Sequence, residues 1–195
     1  MEAGEPVIVP TDTIYGIATK MVGEDVINRL YTIRGREREP ALPFLAASTG
    51  AIAGLVRFSS TAQRLAQTFW PGTLTLILPP AADLPVFARA LPIAVRVPNY
   101  LPLLPLFGLL GGYVLATGAI RSGFPPAITA KEAAELFGDD ISLILDAGPS
   151  PYGIPSTIVD CLTDPPLIIR RGAIPESSIW QALDLEAGSS PIEGL

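Results

Sequence analysis

Val7-Ile8-Val9-Pro10-Thr11-Asp12-Thr13-Ile14-Tyr15-Gly16 is a β-branched apolar run followed at once by hydroxyls, a carboxylate, an aromatic ring and a glycine. The run reads as a buried strand, and the polar residues as a loop delivered at its carboxyl end. Open α/β sheets bind their ligands at that position. On its own the stretch is equally compatible with a plain turn. What lies beyond it separates the two readings.

Outward from this stretch, continuous or alternating apolar runs place strands near residues 44–47, 73–78, 93–97, 113–117, 141–145, 156–160 and 167–170. Helical spacing fills the gaps. Val26, Ile27, Leu30, Tyr31 and Ile33 form one apolar face, and Ala62, Leu65, Ala66 and Phe69 another. Ser60 with Gln63, and Thr129 with Glu132, have the spacing of capping boxes. A last helix starts near Pro175, with Ile179, Ala182 and Leu183 on one side. Strands alternating with helices imply an α/β domain. Some strands are too close for a crossover, which makes the sheet mixed rather than parallel. One domain is expected over residues 1–185, with a frayed tail from Glu186 to Leu195.

Composition narrows the chemistry. Hydrophobic residues are 49% of the 195 and charged residues 16%, enough for a large core under a sparsely charged surface. Histidine is absent, which removes Ser-His and Cys-His nucleophiles and all histidine metal sites. Cys161 is the only cysteine, so no internal disulfide and no cysteine cage can form. Catalysis is left to arginine, hydroxyls, carboxylates, backbone amides or a bound ion, a set suited to an already activated substrate such as a nucleoside triphosphate. The net charge of −6 disfavours nonspecific nucleic-acid binding. The amino terminus does not read as a signal peptide. The uncharged stretch 97–120 carries Pro98, Pro102, Pro105, Gly108, Gly111 and Gly112, which read against a membrane span and for a buried helix and strand. A cytoplasmic location is expected.

Six further stretches follow in order: Tyr31-Thr32-Ile33-Arg34-Gly35-Arg36, Trp70-Pro71-Gly72-Thr73-Leu74-Thr75, Arg96-Val97-Pro98, Ala116-Thr117-Gly118, Pro155-Ser156-Thr157-Ile158-Val159-Asp160 and Arg170-Arg171-Gly172-Ala173-Ile174. Read from the residues, Arg34 and Arg36 suit the oxygens of a polyphosphate, or else a solvated basic helix end. Arg96 interrupts an apolar strand and must be paired or reach a pocket.

With the opening loop, these stretches resemble the L-threonylcarbamoyladenylate synthase family, the YrdC-type domain, over roughly residues 5–175. The resemblance implies a twisted open mixed parallel/antiparallel sheet flanked by helices. It also implies a nucleotidyltransferase that joins L-threonine, bicarbonate and ATP, with Mg2+, into threonylcarbamoyl-AMP and pyrophosphate. Arg34 and Arg36 would be catalytic; Arg34, Arg36, Thr129 and Arg170 would hold ATP. Thr13, Tyr15, Arg96, Thr117 and Ser156 would hold threonine. No protein metal site is implied. The product would pass to proteins that transfer the threonylcarbamoyl group to tRNA, with weak or no direct tRNA binding and no membrane partner.

The chain departs from the family at two positions. The family's Ala-Thr-Ser-Ala-Asn is here Ala116-Thr117-Gly118-Ala119-Ile120, so two polar side chains are gone. One hydrogen bond to a charged group contributes roughly 1.5–3 kcal/mol. Its loss lowers transition-state stabilisation by about tenfold to a hundredfold. Arg121, in the same loop, is a candidate for compensation. The departure keeps open a second reading, a catalytically impaired relative that binds nucleotide or RNA.

Overall fold

The computed structural model describes residues 1, 3–35, 41–82, 84 and 86–185 of the chain. Arg36 and the tail expected over 186–195 lie outside the described residues.

Eight strands form one sheet among the described residues: β1 (Val7–Val9), β2 (Gly16–Thr19), β3 (Leu42–Ala46), β4 (Leu74–Leu78), β5 (Ile93–Arg96), β6 (Tyr113–Gly118), β7 (Thr157–Asp160) and β8 (Leu167–Arg170). Their order is β1-β2-β6-β3-β5-β4-β7-β8. The β3/β5 and β4/β7 pairs are parallel and the others antiparallel, so the sheet is mixed, as the spacing implied.

The helices are α1 (Glu24–Arg34), α2 (Ser60–Phe69), α3 (Val86–Arg89), α4 (Leu104–Leu109), α5 (Ala130–Phe137) and α6 (Glu176–Ala182). Residues that alternate along the strands divide between two cores. Ile8, Ile17, Phe44, Leu76, Val95, Leu115 and Val159 share the larger core with the apolar faces of α1, α2 and α6. Val7, Val9, Ala18, Leu45, Val114 and Ala116 face the other way, under Leu103, Phe107 and Leu110. That second layer ends at β3. Beyond it, Ala94, Thr75 and Ile158 lie on the same side of the sheet without a covering helix, and they floor a cavity.

Each buried aliphatic side chain contributes about 1.5–3 kcal/mol. Val26, Ile27, Leu30 and Ile33 of α1 are all buried, enough to hold an 11-residue helix that would be marginal alone. Gly35 ends α1 in the left-handed conformation (φ 62°), its N–H donating to the Thr32 carbonyl at 3.0 Å. α2 is capped by Ser59 rather than Ser60, whose hydroxyl would sit one residue too late: Ser59 accepts from Ala62 N at 3.1 Å. The capping box at Thr129 is present as the sequence implies.

Three expectations need correction. The expected strands did not include β2: the Pro10–Tyr15 loop at the carboxyl end of β1 is a hairpin connection to that second, antiparallel strand, with Val9 opposite Gly16. Residues 141–145 do not form a strand. They make one parallel bridge, Ile8 to Ile144, because they meet only the end strand β1 of the sheet. The helix in the uncharged stretch is not fully buried, since Leu104 is 48% and Leu109 77% exposed. No helix among the described residues is long and apolar enough to cross a membrane.

Candidate active site

The hairpin loop is fixed first by its own hydroxyls. Thr11 Oγ1 donates to the Ile14 carbonyl at 2.6 Å and lies 3.1 Å from Thr13 Oγ1. Asp12 projects from the same loop and is 1% exposed. A carboxylate so buried needs a cation. Arg96 Nη1 supplies it at 2.9 Å, while Arg96 Nη2 donates to Thr11 Oγ1 at 3.3 Å. The backbone N–H of Asn99 gives Asp12 Oδ2 a second donor at 3.1 Å. Burial lowers the affinity of Arg96 for its proton, and Asp12 opposes that shift.

Tyr15 is fully buried. Its hydroxyl donates to the Gly148 carbonyl at 2.7 Å, tying the hairpin to the loop that follows residue 145. Burial is the largest cause of its raised pKa, so the phenol is not a proton acceptor near neutrality.

Arg34 ends α1 and turns inward, 2% exposed. Its Nη1 donates to Thr117 Oγ1 at 2.5 Å and its Nε to the Ile120 carbonyl at 3.4 Å, which joins the helix end to β6 and the loop after it. Across the cavity, Ser156 Oγ lies 2.8 Å from Thr75 Oγ1. Arg170 donates to the Ser156 carbonyl from Nε and Nη2, and to Ser156 Oγ at 3.1 Å.

These groups converge on one cavity of about 100 Å³. Thr13, Tyr15, Arg34, Arg96, Thr117, Ser156 and Arg170 all line it. Thr129 is not among the lining residues, and its hydroxyl accepts from Glu132 N at 3.1 Å as the cap of α5. Arg121, the candidate for compensation, is not among the lining residues: it pairs with Asp140 and lies over the Phe137 ring, 5.0 Å from its centroid. Gly118 and Ile120 themselves line the cavity, beside Ile14. Cys161 is buried, and burial pushes its thiol up to about 12, which leaves no thiolate near neutral pH.

Sequence reasoning gave no role to Thr11 and Asp12, or to Thr75. The signal for Asp12 was available: one carboxylate directly after a buried strand and one cation in an apolar strand each require a partner, and each is the other's. Among the described residues no cluster of three or more His, Cys, Asp or Glu side chains could hold a metal ion. The one carboxylate built into the site's hairpin is already paired with Arg96. The donor set therefore does not fit a protein-held magnesium ion.

An eight-stranded mixed sheet with a hairpin loop and three arginines around one cavity defines a recognisable class of domain. The chain belongs to the Sua5/YciO/YrdC family, whose model, described as telomere recombination, matches residues 1–172. A Mycobacterium tuberculosis protein (strain H37Rv), provisionally named a threonylcarbamoyl-AMP synthase, is 32% identical over 192 residues, covering 97% of this chain and 88% of its own. The threonylcarbamoyl-AMP synthase of Pyrococcus abyssi is 34% identical over 183 residues, 92% of this chain and 54% of the relative. The crystal structure of P. abyssi Sua5 complexed with L-threonine superposes with a TM-score of 0.84 at 32% identity, covering 93% of this chain and 54% of that one. The chain thus spans about half the length of the Pyrococcus relative.

Proposed function

We propose that this chain forms threonylcarbamoyl-AMP and pyrophosphate from L-threonine, bicarbonate and ATP. The observation that carries the reading is the convergence of Arg34, Arg96 and Arg170 with the hydroxyls of Thr13, Thr117 and Ser156 on one small cavity. Membership of a family with relatives named for this activity supports it.

A cavity of about 100 Å³ is small against the ~300–1,000 Å³ of pockets for larger ligands. It suits the amino acid, with the triphosphate lying across its mouth. Bicarbonate would give carbon dioxide, which the threonine amine takes up as a carbamate, the amine proton and the hydroxide leaving together as water. A carbamate oxygen would then attack the α-phosphorus, forming one P–O bond as the bond to pyrophosphate breaks. Arg34 and Arg170, with Arg36 beyond the helix end, would balance the negative charge. Arg96, fixed by Asp12, would orient threonine together with Thr13, Tyr15, Thr117 and Ser156. The chemistry is positioning and electrostatics, with no covalent intermediate on the protein. Magnesium would arrive on the triphosphate oxygens. The product, a reactive mixed anhydride, would be handed to proteins that transfer the threonylcarbamoyl group to tRNA.

The test is pyrophosphate release from magnesium-ATP, with threonine and bicarbonate omitted in turn. Release is expected only with both present, and a fall of about a hundredfold or more in Arg34→Ala. A folded protein that binds threonine or ATP without releasing pyrophosphate would establish the impaired relative instead, the reading that Gly118 and Ile120 favour.

A further inference from the structure

The wall of the cavity beside Arg34 carries no polar side chain where Ile14, Gly118 and Ile120 meet. A Cβ on residue 118 would stand 2.9 Å from Ile14 Cδ1, and 3.4 and 3.5 Å from Ile120 Cδ1 and Cγ1. The two isoleucines therefore occupy the space that a side chain at 118 would need. Glycine there and isoleucine at 120 are one arrangement, an aliphatic seam. The Ile120 carbonyl accepts from Arg34 Nε and the Thr117 hydroxyl from Arg34 Nη1, so the seam lies where the arginine assigned to the triphosphate meets Thr117 of the threonine set.

The hydroxyls elsewhere in the cavity are engaged with one another, with arginine or, for Tyr15, with the Gly148 carbonyl. Thr13 pairs with Thr11, and Thr75 with Ser156; Thr117 accepts from Arg34. None of them would be left without a partner by a ligand that lacks a hydroxyl. A site rejects the analogue lacking an OH strongly, by about 10⁴–10⁵, only when it holds a polar group that the analogue orphans. An apolar wall instead reads methyl groups, each at roughly 10–200-fold.

Resting on the functional reading above, we propose that the Ile14–Gly118–Ile120 seam is the subsite for the amino acid's β-substituents. It selects substrate by the β-methyl group and not by the hydroxyl. L-Valine, which replaces the threonine hydroxyl by a methyl, is then accepted beside L-threonine, and L-serine, which lacks the methyl, is disfavoured.

Isothermal titration of the full chain with L-threonine, L-valine and L-serine, in bicarbonate buffer, tests this without requiring turnover. Valine is expected to bind within about thirtyfold of threonine or tighter, and serine at least about tenfold more weakly than threonine. A threonine preference over valine beyond about thirtyfold, or serine closer to threonine than about tenfold, overturns the inference and leaves the functional reading standing. Absence of binding by all three removes both. Ile120→Asn should shift the valine-to-threonine balance at least about tenfold toward threonine. Ile120→Thr, nearer in shape, gives the same sign if the asparagine variant does not fold. An unchanged balance in a folded variant overturns the assignment to the seam.

Discussion

Asp12 is the residue on which the site's geometry turns. It is buried, and it meets Arg96, which is 5% exposed. A buried pair of this kind is not by itself a source of stability, since desolvation offsets the attraction. Removing one partner is a different matter. Asp12→Asn leaves Arg96 uncompensated and also removes the charged acceptor for Asn99 N. The expected loss is about 3–5 kcal/mol in urea unfolding. Arg96→Met added to Asp12→Asn should recover part of it, because the double variant buries no lone charge. A loss below about 1 kcal/mol for Asp12→Asn would show that Arg96 finds another anion or water. Function follows from the same pair. Arg96 Nη2 donates to Thr11, and Thr11 pairs with Thr13, so a displaced guanidinium also releases the hydroxyls that line the cavity.

At the scale of elements, α5 separates two roles for one residue. Thr129 and Glu132 cap each other's backbone reciprocally, and Glu132 also accepts from Ile128 N at 2.7 Å. Thr129→Ala should cost about 1 kcal/mol of stability, with Thr129→Ser near wild type. If the cap is its whole role, ATP affinity measured by calorimetry changes less than about threefold. A larger loss of affinity at full fold would give Thr129 the nucleotide contact that the family resemblance implies. The cap was legible in sequence because its pattern is local. The hairpin partner β2 was not: Gly16-Ile17-Ala18-Thr19 is buried throughout and shows no alternation, and only six residues separate it from β1. Residues 141–145 erred in the opposite direction. Ile141, Leu143 and Leu145 have strand period, but they meet the free edge of β1 at a single bridge, and no sequence period encodes how far two segments run together. The leucines of α4 are apolar on every side, so their exposure could not be read either. For the site, Thr13, Tyr15, Arg34, Arg96, Thr117, Ser156 and Arg170 were all placed in motifs and all line the cavity. Asp12 escaped because its meaning lies in a partner 84 residues away.

At the scale of the whole molecule, the distribution of charge matters more than its sum. The chain has 13 basic and 19 acidic residues. Arg34 and Arg96 are buried in the site, and Asp12 with them, so the rest of the chain is more acidic than the net charge of −6. Several of the remaining cations stand beside acids: Arg29 with Glu5, Arg171 with Glu176, Arg64 with Asp184 and Lys131 with Glu135. Nonspecific RNA affinity grows with the number of phosphates a surface can neutralise, and falls with salt in proportion to that number. Among the described residues this surface offers few unshared cations, while the cavity gathers Arg34, Arg96 and Arg170. Titration of fluorescent tRNA should therefore give binding no tighter than about 10⁻⁴ M at 200 mM salt, at the weak end of the nonspecific range. Micromolar affinity that falls a thousandfold between 50 and 200 mM salt would require a basic surface outside the described residues, and would restore the RNA-binding alternative. The weak result has a consequence for the reaction. Under the proposed reaction, a chain that does not hold tRNA would release its activated product to one that does, so pyrophosphate release should proceed unchanged when tRNA is omitted from the assay.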